Sequence, residues 1–113
     1  MKNKHTILLD LDGVLNSYNG NYDEDIIPPI REGAFDFLAK LYQKYRLVLF
    51  STRKVEHVVK WTEENGVKCF FSEITNQKQS AFLMIDDRSL CFRGDYAKTL
   101  EDINNFKVWW KSA

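Results

Sequence analysis

The sequence predicts an α/β fold: a three-layer, Rossmann-like, doubly wound sheet whose strands are mainly parallel. Three observations point there. Short apolar runs alternate with stretches of helical periodicity. The strand-like runs are continuously apolar, the mark of strands buried on both faces. Polar and charged residues gather just after those runs, at the end of the sheet where doubly wound folds bind ligands.

Residues 6–11 form the first strand-like run, ended by acid, and Gly13 marks a sharp turn after it. Residues 16–25 are polar and read as an exposed loop that Pro28 and Pro29 close. Between 31 and 45 the apolar positions Ala34, Phe35, Leu38, Leu41, Tyr42 and Tyr45 recur at helical spacing. Residues 47–50 are the second strand, and Ser51 and Thr52 after it are N-cap candidates for the next helix. That helix carries Val55, Val58, Val59 and Thr62 and stops at Asn65-Gly66. Residues 67–71 read as strand three, 81–85 as strand four, and 89–92 as a short fifth. A last helix, 96–106, turns Leu100, Ile103 and Phe106 inward, and Trp109 and Trp110 pack back on the core.

The chain has 113 residues, which predicts a single domain over 1–113. Hydrophobic residues make up 44%, enough to fill one core. Lysine plus arginine and aspartate plus glutamate both number 16, so binding of polyanions by bulk charge is not expected. Cys69 and Cys91 lie far apart in apolar surroundings and read as buried free thiols, neither a disulfide framework nor a zinc site. No run approaches the roughly 20 apolar residues of a membrane span. The expectation is a cytoplasmic protein with no membrane partner, open to homo-oligomerisation.

Four stretches bring chemistry to the rim of this sheet. Strand one ends in Asp10-Leu11-Asp12-Gly13, strand two in Ser51-Thr52-Arg53, and strand four in Asp86-Asp87-Arg88. Lys78 lies in the loop that leads into strand four. Crowded carboxylates repel unless a cation sits among them, and magnesium takes one or two carboxylates together with phosphate and water. Hydroxyls, backbone N–H groups and a lysine beside that cation are the parts of a phosphoryl-transfer site. Asp10 and Asp12 stand at i and i+2, on one side of an extended strand. One can attack phosphorus while the other moves protons for the leaving oxygen and for water.

These residues resemble a known family. Asp10-Leu11-Asp12-Gly13-Val14 is similar to the DxDG[TV] motif of the haloacid-dehalogenase (HAD) superfamily. Ser51 or Thr52 resembles its second motif, Lys78 its third and Asp86-Asp87 its fourth. The likeness runs from about residue 7 to 88, with the motifs in order. Gln79 departs from it, since many members carry proline after the motif-three lysine. The resemblance implies a HAD-like hydrolase, a phosphomonoesterase that uses Mg2+ and an aspartyl-phosphate intermediate. Asp10 would be nucleophile and magnesium ligand, and Asp12 general acid/base, its main-chain carbonyl also on magnesium. Asp86 would bind magnesium directly, and Asp87 through water or by orienting Lys78. Ser51, favoured over Thr52, would hold phosphoryl oxygens, and Lys78 would neutralise nucleophile and phosphate. No segment is long enough for a cap domain, so the resemblance is to capless members, which act on large substrates or close by oligomerising.

Bland readings stand beside each of these. Asp-x-Asp-Gly can be turn chemistry, Ser51 and Thr52 helix caps, and Lys78 a solvated lysine. Arg53, Arg88 and Arg93 can each meet a substrate phosphate or simply form ion pairs. Tyr18 and Tyr22 flank the loop after the first motif and can stack on a base or anchor the loop. Two alternative functions differ in class. A non-catalytic phosphate-binding module would keep the site without turnover. A receiver-type phosphotransfer domain would place its phosphorylated aspartate after strand three, where this sequence has Phe71-Ser72. The substrate stays open among a nucleotide, a nucleic-acid end, a phosphosugar and a phosphoprotein.

Overall fold

Two five-residue apolar runs, TILLD and RLVLF, pair in parallel register at the centre of the molecule. The computed structural model describes residues 4–111. Its elements are β1 (Thr6–Asp10), α1 (Ala34–Tyr42), β2 (Arg46–Phe50), α2 (Val55–Glu64), β3 (Phe71–Thr75), β4 (Leu83–Ile85) and α3 (Tyr96–Asn105), with single 3-10 turns at Lys68–Phe70 and Trp109–Lys111. The sheet runs β3-β2-β1-β4 and every pair is parallel. The fold is α/β and compatible with a Rossmann-like architecture.

Alternation along β1 and β2 sends Ile7, Leu9, Leu47 and Leu49 to one face, where they join Ala34 and Leu38 of α1 and Val58 and Trp61 of α2 in one core. Both helices therefore cover the same face, as right-handed crossovers moving in one direction across a sheet require. α1 starts later than the periodicity suggested, because Gly33 at φ 88° sets its N-terminus. Phe35 and Tyr42 project past the core and meet the ring of Phe70 edge-on.

Several expectations are corrected. β3 spans Phe71–Thr75, because the chain first makes a 3-10 turn that drives Val67 and Phe70 into the core. The N-cap of α2 is Lys54, with no side-chain cap, so neither Ser51 nor Thr52 caps it. Residues 89–92 form no strand. Both cysteines are exposed: Phe70 takes the inward place beside Cys69, and Cys91 lies in an irregular segment. None of α3 is buried, so Leu100 and Ile103 face solvent and not a core. The periodicity is that of a helix, but among the described residues no second apolar surface covers it. Among the described residues no helix is long and apolar enough to cross a membrane.

Residues 76–82 return the chain from β3 to β4, across the whole sheet. Three strand spacings of about 4.8 Å plus the length of a strand make this a span of roughly 20 Å. At about 3.3 Å per residue the segment covers it only when nearly extended. Gln79 already bonds Glu73 halfway down β3, at 2.8 Å. No helix fits in this crossover, and Lys78 lies exposed along it.

Candidate active site

β1 and β4 are neighbours, so their carboxyl ends bring Asp10 beside Asp86 and Asp87. One carboxylate oxygen from each lies within 4.8 Å of the others. Burial, then the charges of Asp86 and Asp87, push the Asp10 carboxyl from 3.8 up to about 8. Burial also raises Asp87. Its Oδ2 is buried and, among the described residues, has no hydrogen-bond donor. Three crowded acids, one of them with an orphan oxygen, fit a hard divalent cation.

These acids open into a cleft of about 280 Å³, lined also by Asp12, Tyr18, Tyr22, Ser51, Thr52 and Arg88. Ser51 is buried, and its Oγ accepts from the Arg53 backbone N–H at 3.1 Å, which leaves the hydroxyl proton free to donate. Thr52 is exposed at the rim. The structure thus brings Asp10, Asp12, Ser51, Thr52, Asp86 and Asp87 together. Lys78 is not among the lining residues and lies exposed on the extended crossover. The cation that lines the cleft is Arg88.

Of the two roles the sequence left to Arg53, substrate contact and ion pair, the structure shows the ion pair. The Arg53 side chain is 0% exposed. Nε and Nη2 donate to both oxygens of Asp12, at 2.9 and 3.2 Å. Nη1 donates to the carbonyls of Asp23 and Glu24, at 2.8 and 3.2 Å, and the guanidinium lies 4.6 Å from the Tyr22 ring. Arg53 therefore orients Asp12 and ties the loop after β1 to the end of β2. The fork geometry suits arginine and not lysine.

Sequence reasoning missed Asn16. It is fully buried, and its Oδ1 accepts from the N–H groups of Gly13 and Tyr18, both at 3.1 Å. Its Nδ2 donates to Asp12 Oδ1 at 3.0 Å. An Asn directly after a glycine turn was the available signal. Trp109 and Trp110 do more than the core or oligomer packing expected of them. Trp109 Nε1 donates to the Gly13 carbonyl at 2.7 Å, and Trp110 meets Tyr18 edge-on. Both brace the turn that carries Asp12.

Gly13 sits at φ +82°, and a Cβ there would collide with Asp87 Oδ2. Gly13→Ala is expected to cost about 1–3 kcal/mol in urea unfolding, through backbone strain and displacement of Asp87. An unchanged midpoint would show that Asp87 yields freely.

No protein-family model and no curated protein matches the chain.

Proposed function

We propose that this protein is a magnesium-dependent phosphomonoester hydrolase acting through an aspartyl-phosphate on Asp10. The observation that carries the proposal is the convergence of Asp10, Asp86 and Asp87 within 4.8 Å, in one cleft with Asp12 and Ser51. The HAD-like motif order supports the same reading.

Asp10, Asp86 and Asp87 would hold Mg2+, which when bound supplies positive charge to phosphate and nucleophile. The remaining steps belong to the chain. Ser51 donates its hydroxyl to a phosphoryl oxygen. Arg88 offers a guanidinium at the mouth of the cleft. Asp10 attacks phosphorus, the bond to the leaving oxygen breaks, and that oxygen takes a proton relayed from solvent through Asp12, which is left as a carboxylate. Asp12, held by Arg53 and Asn16, then aligns and deprotonates the water that releases phosphate. A second hollow of about 370 Å³ shares Asp86 and Asp87 with the cleft and is lined by Arg31, Phe37 and Trp109. It gives room for the organic part of a substrate. The reading does not depend on Lys78.

The raised Asp10 gives a pH signature without any substrate. Unfolded, this carboxyl ionises near 3.8; folded without a cation it ionises near 8. Between those values the unfolded chain binds fewer protons, so stability falls as pH rises from about 4 to about 8 and then levels. Magnesium binds the ionised form and is expected to restore the lost stability, most strongly above pH 7. Melting curves across pH, with magnesium and with chelator, check this. Superimposed curves would remove the cation from the site.

The direct test is release of phosphate from an aryl phosphate, nucleotides and phosphosugars, with magnesium and with chelator. Turnover that requires the metal is expected. Cation binding without turnover of any substrate favours the alternative of a phosphate-binding module, since every acid would then be present and idle.

A further inference from the structure

α3 carries Tyr96, Leu100 and Ile103 on one stripe, 79%, 65% and 56% exposed. The opposite face is polar and holds the Lys98–Asp102 ion pair at 2.6 Å. The stripe continues at both ends. The Phe92 ring lies tilted against Tyr96, with centroids 5.3 Å apart, and Leu90 and Phe106 line a groove with Ile103 and Arg88. All six apolar residues are exposed.

A fully exposed aromatic side chain offers about 200 Å², so together the six present on the order of 600 Å² of contiguous apolar surface. Two such faces together present about 1,200 Å², which if fully covered reaches the lower bound of a stable protein interface before any polar rim is counted. None of the six carries a charge, so no charged ligand or anionic surface is selected. The chain has a formal net charge of zero, so nothing opposes the approach of a second copy. The stripe is also near-symmetric about its middle. In an antiparallel pair with Leu100 at the centre, Tyr96 of one copy falls opposite Ile103 of the other.

We propose that two copies of this protein associate through α3, antiparallel, with the two Leu100 side chains meeting at the two-fold axis. The dimer is independent of the catalytic reading. Because Arg88 belongs to both the apolar groove and the cleft, the dimer face adjoins the site.

Sedimentation velocity at about 100 µM protein tests it, well above the micromolar Kd of a small interface. Wild type is expected at twice the chain mass. Leu100→Glu is expected to be monomeric with an unchanged circular-dichroism spectrum, and Lys98→Ala, on the polar face, to remain dimeric. As a check that does not depend on tolerance of a buried charge, Leu100→Cys in a Cys69→Ser/Cys91→Ser background should oxidise to a covalent dimer. A wild type that sediments as a monomer overturns the proposal and leaves this face to a partner of different sequence. A Leu100→Cys chain that stays uncrosslinked while sedimenting as a dimer overturns the antiparallel α3 pairing.

Discussion

Asp10→Asn is expected to abolish phosphate release, by several orders of magnitude, while raising the stability of the metal-free protein. The two effects have one origin. Burial and the charges of Asp86 and Asp87 push Asp10 up to about 8, so at neutral pH the fold resists the carboxylate that the reaction needs. Asparagine keeps the shape, removes the repulsion and cannot form an acyl phosphate. The melting temperature should therefore rise, with a gain that grows with pH up to about 8 and is constant above it. The stabilisation by magnesium should shrink in the same variant. A residue that merely packs the rim would lose activity and stability together, so opposite signs distinguish a nucleophile from a structural acid. Phosphate-release rates and melting curves on the same preparation measure both.

Arg53 carries the second large effect. Arg53→Met removes five N–H donors from a buried position and leaves Asp12 and the carbonyls of Asp23 and Glu24 without them. Breaking a buried ion pair from one side costs about 3–5 kcal/mol, read from urea unfolding. Arg53→Lys keeps the charge but loses the fork, and activity is expected to fall by about a factor of a hundred through misplacement of Asp12. The double variant Arg53→Met/Asp12→Asn should regain part of the stability, because no charge is left unpaired, yet none of the activity. A single Arg53→Met chain as stable as wild type would contradict the role given to this residue.

The parts of the fold that were legible are those where a local pattern and its tertiary partner agree. Residues 7–9 and 47–49 are continuously apolar because they lie in the centre of a parallel sheet, and composition alone reveals that. α2 ends at Glu64 because Asn65 and Gly66, at φ 70°, turn the chain, and that signal is also local. α3 shows the limit. Tyr96, Leu100 and Ile103 announce a helix with one apolar face, but spacing cannot say whether the face meets this chain or another molecule.

The candidate site divides in the same way. Asp10, Asp12, Ser51, Asp86 and Asp87 follow apolar strands, so the sheet's topology alone carries them to one rim. Lys78 depended on how the chain crosses from β3 to β4, and on that short crossover it lies exposed and is not among the residues that line the cleft. Arg53 and Asn16 were hidden for another reason. Their importance lies in what they bond: Arg53 meets Asp12 from 41 residues away, which leaves no trace in local sequence, whereas Asn16 bonds Gly13, Tyr18 and Asp12 within four residues, a local signal masked by the polar run it begins.

The most direct test of the central claim is acid quenching during turnover of a reactive phosphate ester with magnesium, followed by mapping of the labelled peptide. A phosphoryl group is expected on Asp10, labile to hydroxylamine and missing from Asp10→Asn. Rapid hydrolysis with no covalent phosphate at any time point, or with the label on another residue, would contradict that claim.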